Sequence, residues 1–191
     1  MKRETGGPPK RRRAVFLDRD GTLTEPRQYP SHPDDLVLLS SIGPPLRALQ
    51  DGGVALVVIT NQSGLARGLF DEGDLAAMHE HLSELLAREG VRLDGVYVCP
   101  HYPEGSVARF RTICACRKPS PGMIYQAAHD LGIELAQSWM VGDSVCDIEA
   151  GRRAGTRTAL VAEVPQAGIT AHVHGATTAV VLEQVWRAIN R

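Results

Sequence analysis

Short apolar segments alternate with longer amphipathic segments along most of the chain. The apolar segments are rich in Val, Ile and Leu and several carry almost no polar residue, which is typical of strands covered on both faces. They predict six strands, at residues 13–18, 54–60, 95–100, 139–143, 156–162 and 178–183. The alternation of strand and helix predicts an α/β fold, with a mainly parallel sheet and helices on both of its faces.

The amphipathic segments predict four helices, over residues 44–53, 71–90, 119–132 and 145–155. The second shows the clearest pattern, because apolar residues recur at helical spacing from Leu75 to Leu86 and Gly90 provides a terminator. In a parallel α/β sheet, ligands bind at the carboxyl ends of the strands. The residues that follow each strand are therefore the first candidates for function.

The length and composition set outer limits on the fold and on the kind of partner. The chain has 191 residues, which suits one α/β domain at residues 14–191, and the basic, Gly- and Pro-rich residues 1–13 predict a disordered tail. A net charge of -1 gives no indication of nucleic acid or an acidic membrane as partner. The longest apolar run, at 54–59, is too short to span a bilayer, and the N-terminus has no apolar stretch of a secretory signal. We expect a cytoplasmic protein that acts as a monomer.

Acidic residues follow two of the predicted strands. Asp18 and Asp20 lie two positions apart after the first strand, so both carboxylates should face one site while Arg19 points elsewhere. Asp143 follows the fourth strand, and Asp147 comes four positions later. Because the carboxyl ends of parallel strands meet at one edge of the sheet, we expect these acids to converge.

Hydroxyl, amide and cationic groups are predicted at the same edge. They are Thr60, Asn61, Gln62 and Ser63 after the second strand, and Arg117 and Lys118 before a helix near Pro119. This set suits phosphoryl transfer, because Asp18 and Asp143 offer the hard oxygen ligands that Mg²⁺ prefers. Beside the bound cation an Asp carboxylate can attack phosphorus, and Asp20 is placed to act as acid and base. Thr60 and Lys118 would neutralise the phosphoryl oxygens.

Three of the four cysteines fall close to one histidine. Cys99 and His101 are followed by Cys114 and Cys116, which gives the three sulfur and one nitrogen ligands of a tetrahedral Zn²⁺ site. Four protein ligands leave no open position, so this zinc would be structural. The alternatives are packed free thiols with a chance histidine, or a disulfide between Cys114 and Cys116, which a reducing compartment disfavours. Cys146 has no predicted partner.

At these strand ends the sequence resembles the haloacid dehalogenase (HAD) superfamily. Its four motifs are matched in order by DRDGT at 18–22, Thr60, Lys118 and GDSVCD at 142–147. The resemblance implies a HAD-like Rossmannoid fold of three layers. The spacings between the motifs leave no room for a large cap domain, so the predicted zinc-pinned loop and the segment at 24–35 would choose the substrate.

The resemblance also implies a role for each acid. Asp18 would be the nucleophile, and Asp20 the acid and base whose backbone carbonyl also binds Mg²⁺. Asp143 would complete the magnesium site, and Asp147 would orient Lys118 or a metal-bound water. Together these roles describe a phosphoric monoester hydrolase that works through an aspartyl phosphate.

Residues 94–123, with FLDRDGT and VVITNQSGLARGLF, are similar to the D-glycero-D-manno-heptose-1,7-bisphosphate 7-phosphatase family and to the related zinc-containing histidinol-phosphate phosphatases. This resemblance implies removal of the 7-phosphate on the way to ADP- or GDP-heptose. Arg117 would recognise the distal part of the substrate, and the pocket would be lined by Asn61, Gln62, Ser63 and Ser144.

Two positions depart from that family pattern. Thr24 stands where members usually carry Asn, and Ser144 where they usually carry Lys. Histidinol phosphate, or another small phosphomonoester, is therefore the alternative substrate. An alternative from another class is a zinc-loop protein that binds nucleic acid, but the loop lacks interleaved basic and aromatic residues.

Overall fold

The computed structural model describes residues 11–164, 168 and 170–191. Its strands are β1 (Ala14–Leu17), β2 (Ala55–Asn61), β3 (Gly95–Cys99), β4 (Trp139–Gly142), β5 (Arg157–Val161) and β6 (Val173–Gly175). Its helices are α1 (Gly43–Asp51), α2 (Gly64–Arg67), α3 (Glu72–Arg88), α4 (Gly122–Leu131), α5 (Val145–Ala154) and α6 (Thr178–Ile189). Most of the predicted disordered tail, residues 1–10, lies outside the described residues.

The six strands form one sheet in the order β3-β2-β1-β4-β5-β6, and every neighbouring pair is parallel. The sheet is covered on both faces, as the apolar runs predict. In β1, for example, Val15 and Leu17 belong to one apolar cluster, and Ala14 and Phe16 belong to another. The α/β prediction with helices on both faces is therefore confirmed.

The prediction of a strand at residues 178–183 is wrong. These residues begin α6, where the Thr177 side chain accepts a hydrogen bond from the Val180 backbone N–H. Val181, Leu182 and Val185 are buried, which is helical spacing. The sixth strand is instead the short β6, paired with β5 at the edge of the sheet. A run of β-branched residues raises strand propensity, but packing of one helical face overrides it here.

The strand order brings the predicted motifs together. β2, β1 and β4 are neighbours at the centre of the sheet, so the residues that follow them meet at one edge. Two long segments border this edge: the flap, residues 25–39, and the Cys/His loop, residues 99–116. In the described part of the chain, every helix is too short or too polar to cross a membrane.

Candidate active site

Lys118 lies at the centre of the site. Its Nζ is 2.5 Å from Asp18 Oδ1 and 2.6 Å from Asp147 Oδ1, and it donates to the Ile59 carbonyl at 2.8 Å. Only 4% of the lysine side chain is exposed, so both ion pairs are shielded from water. We call Asp18, Asp143, Asp147 and Lys118 the acid–lysine cluster.

Burial and mutual repulsion disfavour the charged form of two of these acids. Burial raises the pKa of Asp18 to about 7, although the nearby Lys118 ammonium opposes the shift. Burial and the charge of Asp147 raise the pKa of Asp143 to about 6. The pKa of Lys118 is raised because its two carboxylate partners outweigh the effect of its own burial. The cluster therefore holds more carboxylate charge than one lysine balances.

Gly21 makes room for Asp143. Its φ of 83° lies in the left-handed region that glycine adopts most easily. A Cβ at this position would overlap the Asp143 carboxylate. The glycine of DRDGT thus lets the turn after β1 approach the acid that follows β4.

Arg19 does not point away from the site as predicted. It is fully buried, and its guanidinium donates two hydrogen bonds to the Asp20 carboxylate, at 3.0 and 2.9 Å. Gln62 Nε2 also donates to Asp20, at 3.0 Å. His79 Nε2 lies 3.4 Å from Arg19, and burial followed by the arginine charge lowers the pKa of His79 to about 4. Asp20 is thus held beside the acid–lysine cluster by a fixed cation.

The residues at the end of β2 contact Lys118 and Asp20. The Asn61 side chain accepts from the Lys118 backbone N–H at 3.0 Å and donates to the Lys118 carbonyl at 3.1 Å. Gln62 also donates to the Thr60 hydroxyl at 2.8 Å. The structure thus brings Asn61 and Gln62 against Lys118 and Asp20, while Ser63 lies at the start of α2.

Ser144 contacts Asp147. Its backbone N–H and hydroxyl both donate to Asp147 Oδ2, at 3.1 and 2.6 Å. The other oxygen of Asp147 faces Lys118. Asp147 thus joins the start of α5 to the lysine.

Two cavities border the site. One, of about 200 Å³, lies between the flap and the end of β2 and is lined by Asp20, Tyr29, Gln62 and Ser63 among others. The second, of about 210 Å³, is lined by Arg117 and Lys118 with residues of the Cys/His loop. Arg117 also donates to the His101 carbonyl at 3.2 Å, which ties it to the Cys/His loop.

The four predicted zinc ligands form a compact group. The Sγ atom of Cys116 lies 3.1 Å from that of Cys99, 3.2 Å from that of Cys114 and 3.2 Å from His101 Nδ1. The ligand atoms of all four residues lie within 4.8 Å of one another. This brings the pair at the end of β3 against the pair that precedes Arg117. The fourth cysteine, Cys146, is exposed and is not part of the group.

Comparison with known proteins identifies the family. A model of the HAD-hydrolase-like family matches residues 115–181. The D-glycero-beta-D-manno-heptose-1,7-bisphosphate 7-phosphatase of Yersinia pestis is 46% identical over 145 residues, which cover 76% of this chain and 77% of the relative. This chain belongs to the HAD-like phosphatases. It is a phosphoric monoester hydrolase.

Solved structures of HAD-like phosphatases share its fold. A HAD-like phosphatase from Mesorhizobium loti superposes with a TM-score of 0.84 at 36% identity, covering 96% of this chain and 90% of the other. The D,D-heptose 1,7-bisphosphate phosphatase of B. bronchiseptica, complexed with magnesium and phosphate, gives a TM-score of 0.78 at 32% identity, covering 92% of this chain and 99% of the other.

The acid–lysine cluster of this HAD-like phosphatase fits a hard divalent cation. Asp18, Asp143 and Asp147 present carboxylate oxygens within 4.8 Å of one another. Both carboxylate oxygens of Asp147 are engaged, Oδ1 by Lys118 and Oδ2 by Ser144, whereas Lys118 contacts only Oδ1 of Asp18. Asp18 and Asp143 are therefore the carboxylates with an oxygen left to bind a metal. Magnesium commonly uses one or two carboxylates and completes its shell with water and phosphate oxygens.

The Cys/His group fits zinc by its donor chemistry. Three thiolates and one imidazole are the ligands that soft tetrahedral zinc sites use. Zinc–sulfur bonds of about 2.3 Å would separate two sulfurs by about 3.8 Å. The sulfur pairs of this group lie 3.1, 3.2 and 3.6 Å apart, so a bound zinc would need them to move apart by less than about 1 Å. Burial raises the pKa of the Cys99 thiol, so the thiolate form needs a cation beside it.

Several residues of this HAD-like phosphatase site carried no signal in the sequence. Arg19 lies inside the DRDGT motif, but no pattern indicated its contact with Asp20, and His79 lies 60 residues away on α3. Tyr29 and Tyr102 lie in segments without regular periodicity. Only the tertiary fold brings these four side chains to the edge of the site.

Proposed function

We propose that this protein hydrolyses the 7-phosphate of D-glycero-D-manno-heptose 1,7-bisphosphate, on the way to ADP- or GDP-heptose, with Asp18 as nucleophile. The observation that carries the chemistry is Lys118, held within 2.6 Å of both Asp18 and Asp147 at the shared ends of β1 and β4. The names of relatives at about 45% identity support the choice of substrate.

The first chemical step forms a covalent intermediate. A carboxylate oxygen of Asp18 attacks phosphorus, and the bond between phosphorus and the sugar oxygen breaks. Asp20 donates a proton to the departing alkoxide, so the heptose leaves as an alcohol. Lys118 and Thr60 stabilise the charge that develops on the phosphoryl oxygens.

The second step returns the enzyme to its starting state. Asp20, now a carboxylate, removes a proton from water as that water attacks the phosphorus of the aspartyl phosphate. The bond between phosphorus and the Asp18 oxygen breaks, and inorganic phosphate leaves. The two hydrogen bonds from Arg19 hold the Asp20 carboxylate in place for both proton transfers.

Asp18, Asp143 and the Asp20 backbone carbonyl would hold Mg²⁺. A bound magnesium ion supplies positive charge that lets the anionic carboxylate and the anionic phosphate approach each other. The magnesium and phosphate in the B. bronchiseptica structure support this assignment.

Arg117 and the cavity between the flap and the end of β2 would select the substrate. Arg117 lines a cavity together with Lys118, and two neighbouring cations suit a substrate with a second anionic group. Asn61, Gln62, Ser63 and Ser144 complete the predicted contact set. Ser144 is engaged with Asp147, so it leaves one fewer cation than a lysine there would provide. Histidinol phosphate, or another small phosphomonoester, is the competing substrate.

The Cys/His group would hold one structural Zn²⁺. The close approach of three sulfurs and His101 Nδ1 supports this proposal. Reduced thiols also fit the predicted cytoplasmic location, where disulfides are rare. We further propose that the enzyme acts as a monomer, on small phosphorylated sugars rather than nucleic acid or membranes.

Phosphate release in the presence of Mg²⁺ tests the substrate. The two anomers of D-glycero-D-manno-heptose 1,7-bisphosphate are compared with histidinol phosphate, and Asp18→Asn serves as the blank. We expect kcat/KM for one bisphosphate to exceed that for histidinol phosphate by about a hundredfold or more, because Arg117 meets a second phosphate only in the sugar. A preference for histidinol phosphate would overturn the heptose assignment.

A further inference from the structure

Arg67 contacts two aromatic rings from different parts of the chain. Its guanidinium carbon lies 5.2 Å from the ring centre of Tyr29 and 4.0 Å from that of Tyr102. Tyr29 belongs to the flap, and Tyr102 belongs to the Cys/His loop. Cations over aromatic faces at these distances attract the ring quadrupole. Arg67, the last residue of α2, therefore links the two segments that border the site.

The guanidinium of Arg67 has no carboxylate partner among the described residues, although many surface arginines of this chain do. Its Nε is buried and makes no hydrogen bond within the described residues. An arginine whose role is to make ion pairs would have carboxylate oxygens as acceptors for its N–H groups. The ring contacts are thus the interactions that define its position.

The backbone of Tyr29 adopts an unfavourable conformation. Its φ of 55° lies in the left-handed region, which is costly for a bulky side chain. Tyr29 also lines the cavity between the flap and the end of β2, beside Asp20 and Gln62. Some contact must stabilise the ring in this place, and Arg67 provides one.

The other side of the link is firmly attached to α2. Ser106 Oγ donates to the Arg67 carbonyl at 2.9 Å, and the Val107 N–H donates to the Ala66 carbonyl at 2.9 Å. Gly105 packs so closely on α2 that a Cβ there would contact the Ala66 carbonyl oxygen at 2.5 Å. The Cys/His loop and α2 therefore form a common base, and the flap is held to it through Tyr29.

We propose that Arg67 is a positioning residue that holds Tyr29 and the flap against the Cys/His loop, and so forms one wall of the substrate pocket. This inference rests on the proposed function for the identity of the substrate. It assigns Arg67 to binding rather than to the chemical step, because the guanidinium contacts the pocket wall and none of the acids.

Kinetics of Arg67→Met on the preferred heptose bisphosphate test the proposal. Methionine keeps much of the apolar volume and removes the cation. We expect KM to rise about five- to twentyfold while kcat stays within about twofold, since the lost contact orders the pocket and not the reacting atoms. Arg109→Met is the control, because Arg109 also lies over an aromatic ring of the loop, Phe110 at 4.5 Å, but its guanidinium pairs with Glu72 of α3 rather than with a ring of the flap.

Two further variants separate stacking from charge. Arg67→Lys keeps the charge but stacks less well, so its KM should lie nearer to that of Arg67→Met than to that of the parent. Tyr29→Leu should raise KM by a similar factor, and combining it with Arg67→Met should add little, because both changes break one contact. A lysine variant with the parent KM would overturn the proposal and make Arg67 a charge contact for substrate.

Hydrogen exchange in the free enzyme provides a readout that needs no substrate. Amides of the flap should exchange faster in Arg67→Met than in the parent and in Arg109→Met. Unchanged exchange in the flap, even with altered kinetics, would overturn the positioning role. If the parent enzyme hydrolyses no heptose bisphosphate, the substrate assignment fails, whereas the exchange result still decides whether Arg67 holds the flap.

Discussion

The acid–lysine cluster, after β1 and β4, and the Cys/His group, after β3, lie at the same edge of the sheet and face the same electrostatic problem in different ways. Each gathers several groups that are anionic when they function, with little water to solvate them. The acid–lysine cluster contains its own cation, Lys118, with 4% of its side chain exposed. The Cys/His group has no such cation among its four residues.

This difference follows from the chemistry that each group supports. Lys118 favours the charged form of the carboxylates beside it, although burial opposes this, and the carboxylates leave positions for a hard cation and a phosphate. Burial raises the pKa of the Cys99 thiol, which favours its protonated form until a cation displaces the proton, and a zinc ion held by all four residues would have no open position. In the proposed function, the acid–lysine cluster therefore keeps positions open for a substrate, whereas the Cys/His group would bind one metal ion and leave no position open.

Replacing Asp18 by Asn should have the largest effect on activity and a small effect on stability. The amide has the same shape but cannot attack phosphorus, so we expect kcat to fall by more than about a thousandfold. The unfolding temperature should change by less than about 3 °C, because burial already disfavours the charged carboxylate. Phosphate release and thermal melting measure the two effects. A variant with kcat within about tenfold of the parent would rule out Asp18 as the nucleophile.

Replacing Cys116 by Ser should reverse this pattern. Loss of one ligand would weaken the proposed zinc site, which would hold the two ends of the Cys/His loop together, so we expect the unfolding temperature to fall by about 5–15 °C. Activity should fall less than in Asp18→Asn, because no reacting group is removed. Metal analysis should find one zinc per chain in the parent and little in the variant. Cys146→Ser is the control, since this thiol is exposed and lies outside the group; equal zinc content in parent and Cys116→Ser would contradict the structural site.

His101 is part of the Cys/His group, whereas His79 lies beside Arg19, next to the acid–lysine cluster. His79 provides the prediction with the smallest expected effect. Its pKa is lowered to about 4 by burial and by Arg19, with Asp20 partly opposing the shift. The unfolded chain binds this proton near pH 6.5, so unfolding takes up a proton between about pH 6.5 and 4. Stability from the neutral histidine is therefore complete above this window and is lost as the pH falls through it.

His79→Gln removes that pH dependence. Relative to the parent, the variant should gain about 1–2 kcal/mol in free energy of unfolding on going from pH 7.5 to pH 4.5. Urea unfolding at the two pH values measures the difference, and His81→Gln, two positions along the same helix, is the control. An identical pH response in parent and His79→Gln would mean that the histidine is not held neutral beside Arg19.

Sequence patterns predicted the central sheet well because its strands are covered on both faces. The apolar runs that became β1, β2 and β4 have no competing interpretation, and parallel strands must place their motifs at one edge. The run at 178–183 was misassigned because β-branched residues favour strands locally, whereas the burial of Val181, Leu182 and Val185 is decided by tertiary packing.

The candidate site divides in a similar way. Residues inside recognisable motifs, such as Asp18 and Lys118, were expected to meet at one site, and the structure brings them together. Arg19 was expected to face away because alternation along a strand was extended into a turn, where it no longer applies. The contact between Arg67 and Tyr29 was invisible, because nothing in either segment indicates which distant ring an arginine will meet.

The run from Cys116 through Arg117 to Lys118 is three consecutive residues long, and it joins the two regions covalently. Cys116 at one end of this run belongs to the Cys/His group, and Lys118 at the other end reaches Asp18, the proposed nucleophile. The tip of the Cys/His loop, residues 103–112, lies in the sequence between the two pairs of the Cys/His group. Variation in length or sequence at the tip would reshape the rim of the cavity beside Arg117, while the spacing from Cys116 to Lys118 stays constant. For protein engineering, this makes the tip the natural place to build libraries that redirect the enzyme toward other phosphate esters.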